Sequence, residues 1–250
     1  MKKSVLVITA FLLSVSFLNA QILKNILKKD SSGKSGIDKV LGGGSGSLGA
    51  GLSTEEIANG LKEALQVGAT NGSQRLSAVD GFFKDAAIKI LMPEEAKKVE
   101  QTLRSFGFGK QVDNAILSMN RAAEDASKSA APIFINAIKQ MSIQDALGIL
   151  QGGDNAATNY LKSKTTAALT EAFRPVIEQS LEKVNATKYW NTVFTTYNKF
   201  SAEKVNTDLP AYVTEKGLSG IFYEVAQEEQ KIRKDPLART SDLLKKVFAK

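Results

Sequence analysis

From Leu52 to the C-terminus, apolar residues recur every three or four positions, and no run of strict alternation is long enough to propose a sheet. The pattern predicts an all-α fold, a single multi-helix bundle domain over residues 52–250. Ser53-Thr54-Glu55-Glu56 reads as a capping box, with Ile57, Leu61, Leu65 and Gly68 on one face of the helix it starts. Ala64, Gly68 and Ala69 are small enough to let a neighbouring backbone come close. After a loop containing Asp80-Gly81 and Phe82-Phe83, Met92-Pro93-Glu94-Glu95 places proline and acids in a first helical turn. Val99, Leu103 and Phe106 form the buried stripe expected there, and Gly107 ends the helix.

Residues 110–128 bring Val112, Ile116, Met119, Ala122, Ala123 and Ala126 to one side. Pro132 interrupts the chain before Ile133, Phe134, Ala137, Ile138 and Met141, and Ser142 with Asp145 opens a short helix that Gly152-Gly153 closes. Asp154 is expected to cap the longest helix, whose stripe is Leu161, Leu169, Phe173, Ile177, Leu181 and Val184 and whose axis Pro175 is expected to bend. Tyr189, Trp190, Val193, Phe194, Tyr197 and Phe200 read as core in preference to a ligand cage. Asp208-Leu209-Pro210 starts a helix with Tyr212, Val213, Leu218, Ile221, Phe222, Val225 and Ile232 inward. A last helix after Thr240 carries Leu243, Leu244, Val247 and Phe248.

The first 51 residues break this pattern. Lys2 and Lys3, an uncharged apolar run over residues 5–17 and Leu18-Asn19-Ala20 read as a signal peptide over residues 1–20. The run is too short to span a bilayer, so no transmembrane segment is expected in the mature chain. Residues 21–51 are a basic, Gly/Ser-rich flexible segment. Ile22, Leu23, Ile26 and Leu27 alternate there with Lys24, Lys28 and Lys29, and eight Gly and five Ser follow among residues 30–51. The chain is therefore expected to be exported, and to be periplasmic or envelope-associated.

Charge sharpens this picture. The chain carries a formal +7, but residues 40–230 are net −3 while residues 21–39 contribute +3 and residues 231–250 contribute +5. Basic ends on a faintly acidic body suit an anionic envelope surface, and they also serve solubility; no specific nucleic acid is expected.

The chain has no Cys and no His, which excludes disulfides, thiol nucleophiles, imidazole acid/base chemistry and Ser-His-Asp arrangements. No metal and no cofactor are expected. Arg121 and Glu124 share a helix face beside Asn120, either as a polar knot holding helices in register or as a ligand site in which Arg121 receives a carboxylate or phosphate. Glu224, Glu228, Glu229, Arg233, Asp235 and Arg239 form the densest charged region. It reads as a salt-bridged surface ended by Pro236, or as paired carboxylates for acid/base work on a glycan or for holding a hard cation such as calcium or magnesium. Gly152-Gly153-Asp154 lacks the Lys-Ser/Thr of a phosphate loop and reads as a helix terminator with an N-cap.

Five strings occur in order: GLKEAL from Gly60, MNRAAE from Met119, GGDNAATNY from Gly152, YVTEK from Tyr212 and EEQKIRKDPLARTSDLL from Glu228. Together they resemble an exported bacterial, all-helical domain-of-unknown-function family, number 4197. The resemblance runs from about Leu52 to Phe248 and implies secretion, one helical domain and a bacterial source. It supplies no activity, substrate or catalytic residue. The first expectation is a non-enzymatic binding module in the periplasm or at the envelope, whose partner is an unknown envelope protein or an anionic envelope surface. The alternatives are a carboxylate-dependent enzyme on an envelope polymer, with Glu228 or Glu229 as acid or base, and a carrier of a lipid or apolar ligand near Trp190.

Overall fold

Two serines start helices by the reciprocal bonding their neighbours invite. The Ser53 N–H donates to Glu56 at 2.7 Å and the Glu56 N–H donates to the Ser53 hydroxyl oxygen at 3.2 Å. Ser142 and Asp145 do the same at 2.9 and 3.0 Å. The structure, a computed structural model of the chain, describes residues 52–235 and Lys245. Its helices are α1 (Thr54–Ser77), a 3-10 turn (Glu94–Ala96), α2 (Lys97–Ser105), α3 (Gly109–Ser127), α4 (Ala130–Lys139), α5 (Ile143–Gln151), α6 (Ala156–Lys183), α7 (Ala186–Phe200) and α8 (Leu209–Lys234). Among the described residues every regular element is helical. The expected signal peptide, residues 21–51, Pro236, Arg239 and the last helix with Leu243, Leu244, Val247 and Phe248 lie outside the described residues.

The bundle belongs to the compact unit Leu61–Arg239. Of the other unit, Met1–Gly60 with Thr240–Lys250, the described part is the start of α1 with its cap and Lys245, which is helical and exposed. In the bundle α6 is the centre, with α3, α4, α5, α7 and α8 packed around it. Its Leu161, Leu169, Phe173, Ile177 and Leu181 are all buried, and they meet the alanine-rich buried face of α3 and the inner face of α8. Pro175 sits inside α6 without ending it. On α1, a Cβ at Gly68 would lie 3.3 Å from the Glu228 Cβ and one at Gly72 would lie 3.2 Å from the Glu224 Cγ. The aliphatic stems of two α8 glutamates therefore lie against α1 at its glycines.

Several expectations are corrected. Val99 and Leu103 are half-buried and Phe106 is 75% exposed, because the short helix α2 packs mainly on α3 and, among the described residues, no second layer covers its stripe. Pro93 precedes a 3-10 turn, so the first α turn starts only at Lys97. Gly107 does end α2. It takes φ +88°, with Gly107 N–H donating to Arg104 O and Phe108 N–H to Leu103 O, the double bond of a Schellman turn. Val184 is exposed because the chain reverses at Asn185, which adopts φ +55°. Of the aromatic group only Trp190 and Phe194 are buried, while Tyr189, Val193 and Phe200 face outward. Asp154 does not cap α6; its carboxylate is exposed and lies 3.4 Å from Lys234.

Candidate functional site

The middle of α3 carries three polar side chains within little more than one turn. Asn120 is wholly buried. Its Oδ1 accepts the Ile90 N–H at 2.9 Å, and its Nδ2 donates to Ile90 O at 2.8 Å and to Ile116 O at 2.7 Å. The side-chain amide thus pairs with both main-chain groups of Ile90, as a neighbouring strand would. It pins a segment whose Ile88, Ile90 and Met92 are buried while Lys89 and Leu91 lie further out.

Glu124, also buried, accepts the Phe82 and Phe83 N–H groups at 3.1 and 3.2 Å and an Arg121 N–H at 2.6 Å. A second Arg121 nitrogen donates to Asp80 at 2.6 Å, and Asp80 itself holds φ +70°. Bonds from Lys84 and then Arg121 hold the Asp80 carboxyl below its ordinary value, while Asp80 and Glu124 push the Arg121 guanidinium above its own. The structure therefore brings Asn120, Arg121 and Glu124 together as one knot that fastens residues 80–90 to α3. The Arg121 fork is already filled by two carboxylates of its own chain.

The charged region of α8 is salt-bridged as expected, but part of it is not surface. Glu224 and Glu229 are buried, and the Arg233 side chain is 14% exposed. This is a correction with a physical cause: Glu229 reaches the N-terminus of α6. Its carboxylate accepts the Ala157 N–H at 3.0 Å, the Thr158 N–H at 2.9 Å and the Thr158 hydroxyl at 2.8 Å. Arg233 donates to Glu229 at 2.8 Å and to Ile149 O at 2.8 Å, joining the ends of α5, α6 and α8. Glu229 thereby does from another helix what Asp154 was expected to do locally.

Its neighbour Glu228 points elsewhere. Arg75 of α1 pairs with both Glu224 and Glu228, and Lys231 donates to Glu228 at 2.7 Å. Burial pushes the Glu228 carboxyl up, but Lys231 and Arg75 outweigh it and leave the group below its ordinary value. That is the reverse of what a general acid needs. Asp235 is exposed at the C-terminus of α8, and Arg239 lies outside the described residues.

An open cleft of about 630 Å³ lies between the 87–95 segment and α8, with Glu94, Glu95, Glu215, Lys216 and Tyr223 at its walls. Tyr212 stands in it, its hydroxyl donating to Leu91 O at 2.8 Å. Burial, then Glu95, Glu215 and Glu94, push that phenol up to about 12, so it stays protonated at neutral pH and holds the segment instead of acting as a base. Trp190 and Phe194 form no cage either. Their ring centroids are 4.4 Å apart and the indole N–H donates to Asn206 O at 3.0 Å.

A family model described as "Protein of unknown function (DUF4197)" matches residues 51–249. The chain belongs to this family. No curated protein and no solved structure matches the DUF4197 chain. The family match spans both polar clusters and the cleft.

Among the described residues of this DUF4197 protein, no helix is long and apolar enough to cross a membrane, and no group of three or more Asp or Glu is placed to hold a metal. Sequence reasoning missed Asp80, Arg75 and Tyr212 as members of these clusters. For the 87–95 segment the available signal was the short alternation Ile88, Ile90, Met92.

Proposed function

We propose that this protein is an exported helical module that works by binding at the cell envelope, to an anionic surface or an envelope protein, without chemistry of its own. The observation that carries the reading is how its buried acids are employed. Glu124 and Glu229 each hold two main-chain N–H groups and an arginine, and Glu228 is held below its ordinary value by Arg75 and Lys231. These carboxylates fasten segments and helix ends together. The predicted signal peptide and the two basic termini support the envelope as the place of action.

The test is incubation of the purified exported chain with isolated envelope. Sedimentation with the envelope, lost at high salt and with no soluble fragments released, is the expected result. Release of glycan or peptide fragments that Glu228→Gln abolishes would overturn the reading in favour of a carboxylate enzyme. Failure to sediment at all would overturn the envelope assignment.

A further inference from the structure

Helix α7 has two apolar sides where one would suffice. Trp190 and Phe194 face the bundle and are buried. On an adjoining side Tyr189, Val193, Thr196 and Phe200 fall at i, i+4, i+7 and i+11, a single stripe. Tyr189 is 66% exposed, Val193 37% and Phe200 88%. The two threonines on this side ask nothing of solvent, since Thr192 donates its hydroxyl to Lys188 O at 2.9 Å and Thr196 donates to Thr192 O at 3.0 Å. Drying the stripe therefore strands neither hydroxyl, and the phenol of Tyr189 suits a boundary between water and hydrocarbon.

The charge on the same helix is one-sided. Residues 186–200 contain Lys188 and Lys199 and no acid, within a body that is net −3 over residues 40–230. Both lysines are exposed and sit on one flank of the stripe, away from Trp190 and Phe194. Aromatic and aliphatic groups bordered by lysines match the layered chemistry of an anionic bilayer, with acyl chains for the stripe and headgroup phosphates for the ammonium groups. We infer that the outer face of α7 lies against an anionic phospholipid surface. The inference rests on the envelope-binding reading and deepens it by naming the surface and the partner.

The chain has no cysteine, so Thr196→Cys gives a unique site for an environment-sensitive fluorophore, and Gln101→Cys on exposed α2 gives a control. Phosphatidylglycerol vesicles are expected to shift the Thr196→Cys label to the blue while the Gln101→Cys label and phosphatidylcholine vesicles give no shift. Val193→Ser with Phe200→Ser is expected to weaken vesicle binding about tenfold or more with an unchanged helical spectrum. Lys188→Gln with Lys199→Gln is expected to weaken it roughly tenfold and to flatten its salt dependence.

A silent Thr196→Cys label, an equal response at Gln101→Cys, or vesicle binding untouched by the paired serine variant overturns the inference. So does crosslinking that shows a second copy or another protein on the stripe. Loss of the α7 effect while the chain still sediments with isolated envelope removes this surface alone and leaves the binding function standing.

Discussion

The Glu229 carboxylate accepts the main-chain N–H of Thr158 at 2.9 Å, across 71 positions of sequence. A side chain near the end of α8 is thus the cap of α6, the helix around which the bundle is built. The first amides of any helix lack intrahelical partners and carry a partial positive charge. Gly152 and Gly153 bring the chain into α6 without offering a side chain, and Asn155 makes no capping bond. A buried carboxylate from elsewhere satisfies the amides, and Arg233 neutralises it.

Replacing Glu229 should therefore cost more than replacing the acid that sequence pattern points to. Glu229→Ala is expected to lower unfolding free energy by about 3–5 kcal/mol, since it leaves Arg233 buried and two amides unpaired. Asp154→Asn, at an exposed carboxylate, is expected to stay within about 0.5 kcal/mol. Urea unfolding followed by circular dichroism compares the two; equal losses would refute the long-range cap.

Asn120 governs the 80–92 segment in the same manner. Asn120→Ala removes three buried hydrogen bonds and is expected to cost about 2–3 kcal/mol. Asn120→Asp keeps the shape but has no N–H for the Ile90 and Ile116 carbonyl oxygens, so it should fare no better. The local readout is proteolysis: cleavage among residues 84–91 should accelerate before the bundle melts. A variant that unfolds without selective cleavage there would show that Asn120 acts on the whole core.

The fold class was legible because helix periodicity and caps are local. Ser53-Glu56, Ser142-Asp145 and Asp208 each act within one turn, and each does what its spacing predicts. The polar clusters were legible only in half. Arg121 and Glu124 are three apart on one helix and do pair, whereas Asp80, Phe82 and Ile90 reach them through tertiary packing. Glu229 and Arg233 at i,i+4 were read as surface because spacing carries no information about depth; the first amides of another helix, buried and without intrahelical partners, drew them inward. Phe106 and Phe200 failed in the opposite sense, since an apolar residue on a helix face does not say whether a second layer covers it.

Gly220 gives a steric prediction. A Cβ there would overlap the ring of Phe82, which is fully buried against α8. Gly220→Ala raises intrinsic helix propensity, so a surface position would gain stability. Here overpacking should dominate, with a loss of about 1–3 kcal/mol. Pairing it with Phe82→Leu, which frees space at the ring position, should recover part of the loss in a double-mutant cycle; strict additivity would show that the two residues do not compete for that space.

The acid limb of stability has a sign that the Glu228 surroundings fix. Its folded value lies below the ordinary 4.5, so the unfolded chain takes up the proton first as pH falls. The contribution is then fully present above the ordinary value and is lost as pH drops through it toward the lower folded value. Asp80, lowered from 3.8 by Lys84 and Arg121, adds to the same trend further down. Removing the partners should invert the slope for Glu228. With Arg75→Gln and Lys231→Gln together, burial is left as the leading influence and raises the carboxyl, so protonation would favour the folded state. Stability should then rise as pH falls from neutral into the carboxylate range, where the unaltered chain holds steady and then declines. Urea midpoints measured across that range decide the matter, and parallel profiles for the two proteins would refute the assignment of Arg75 and Lys231 as the groups that hold Glu228 ionised.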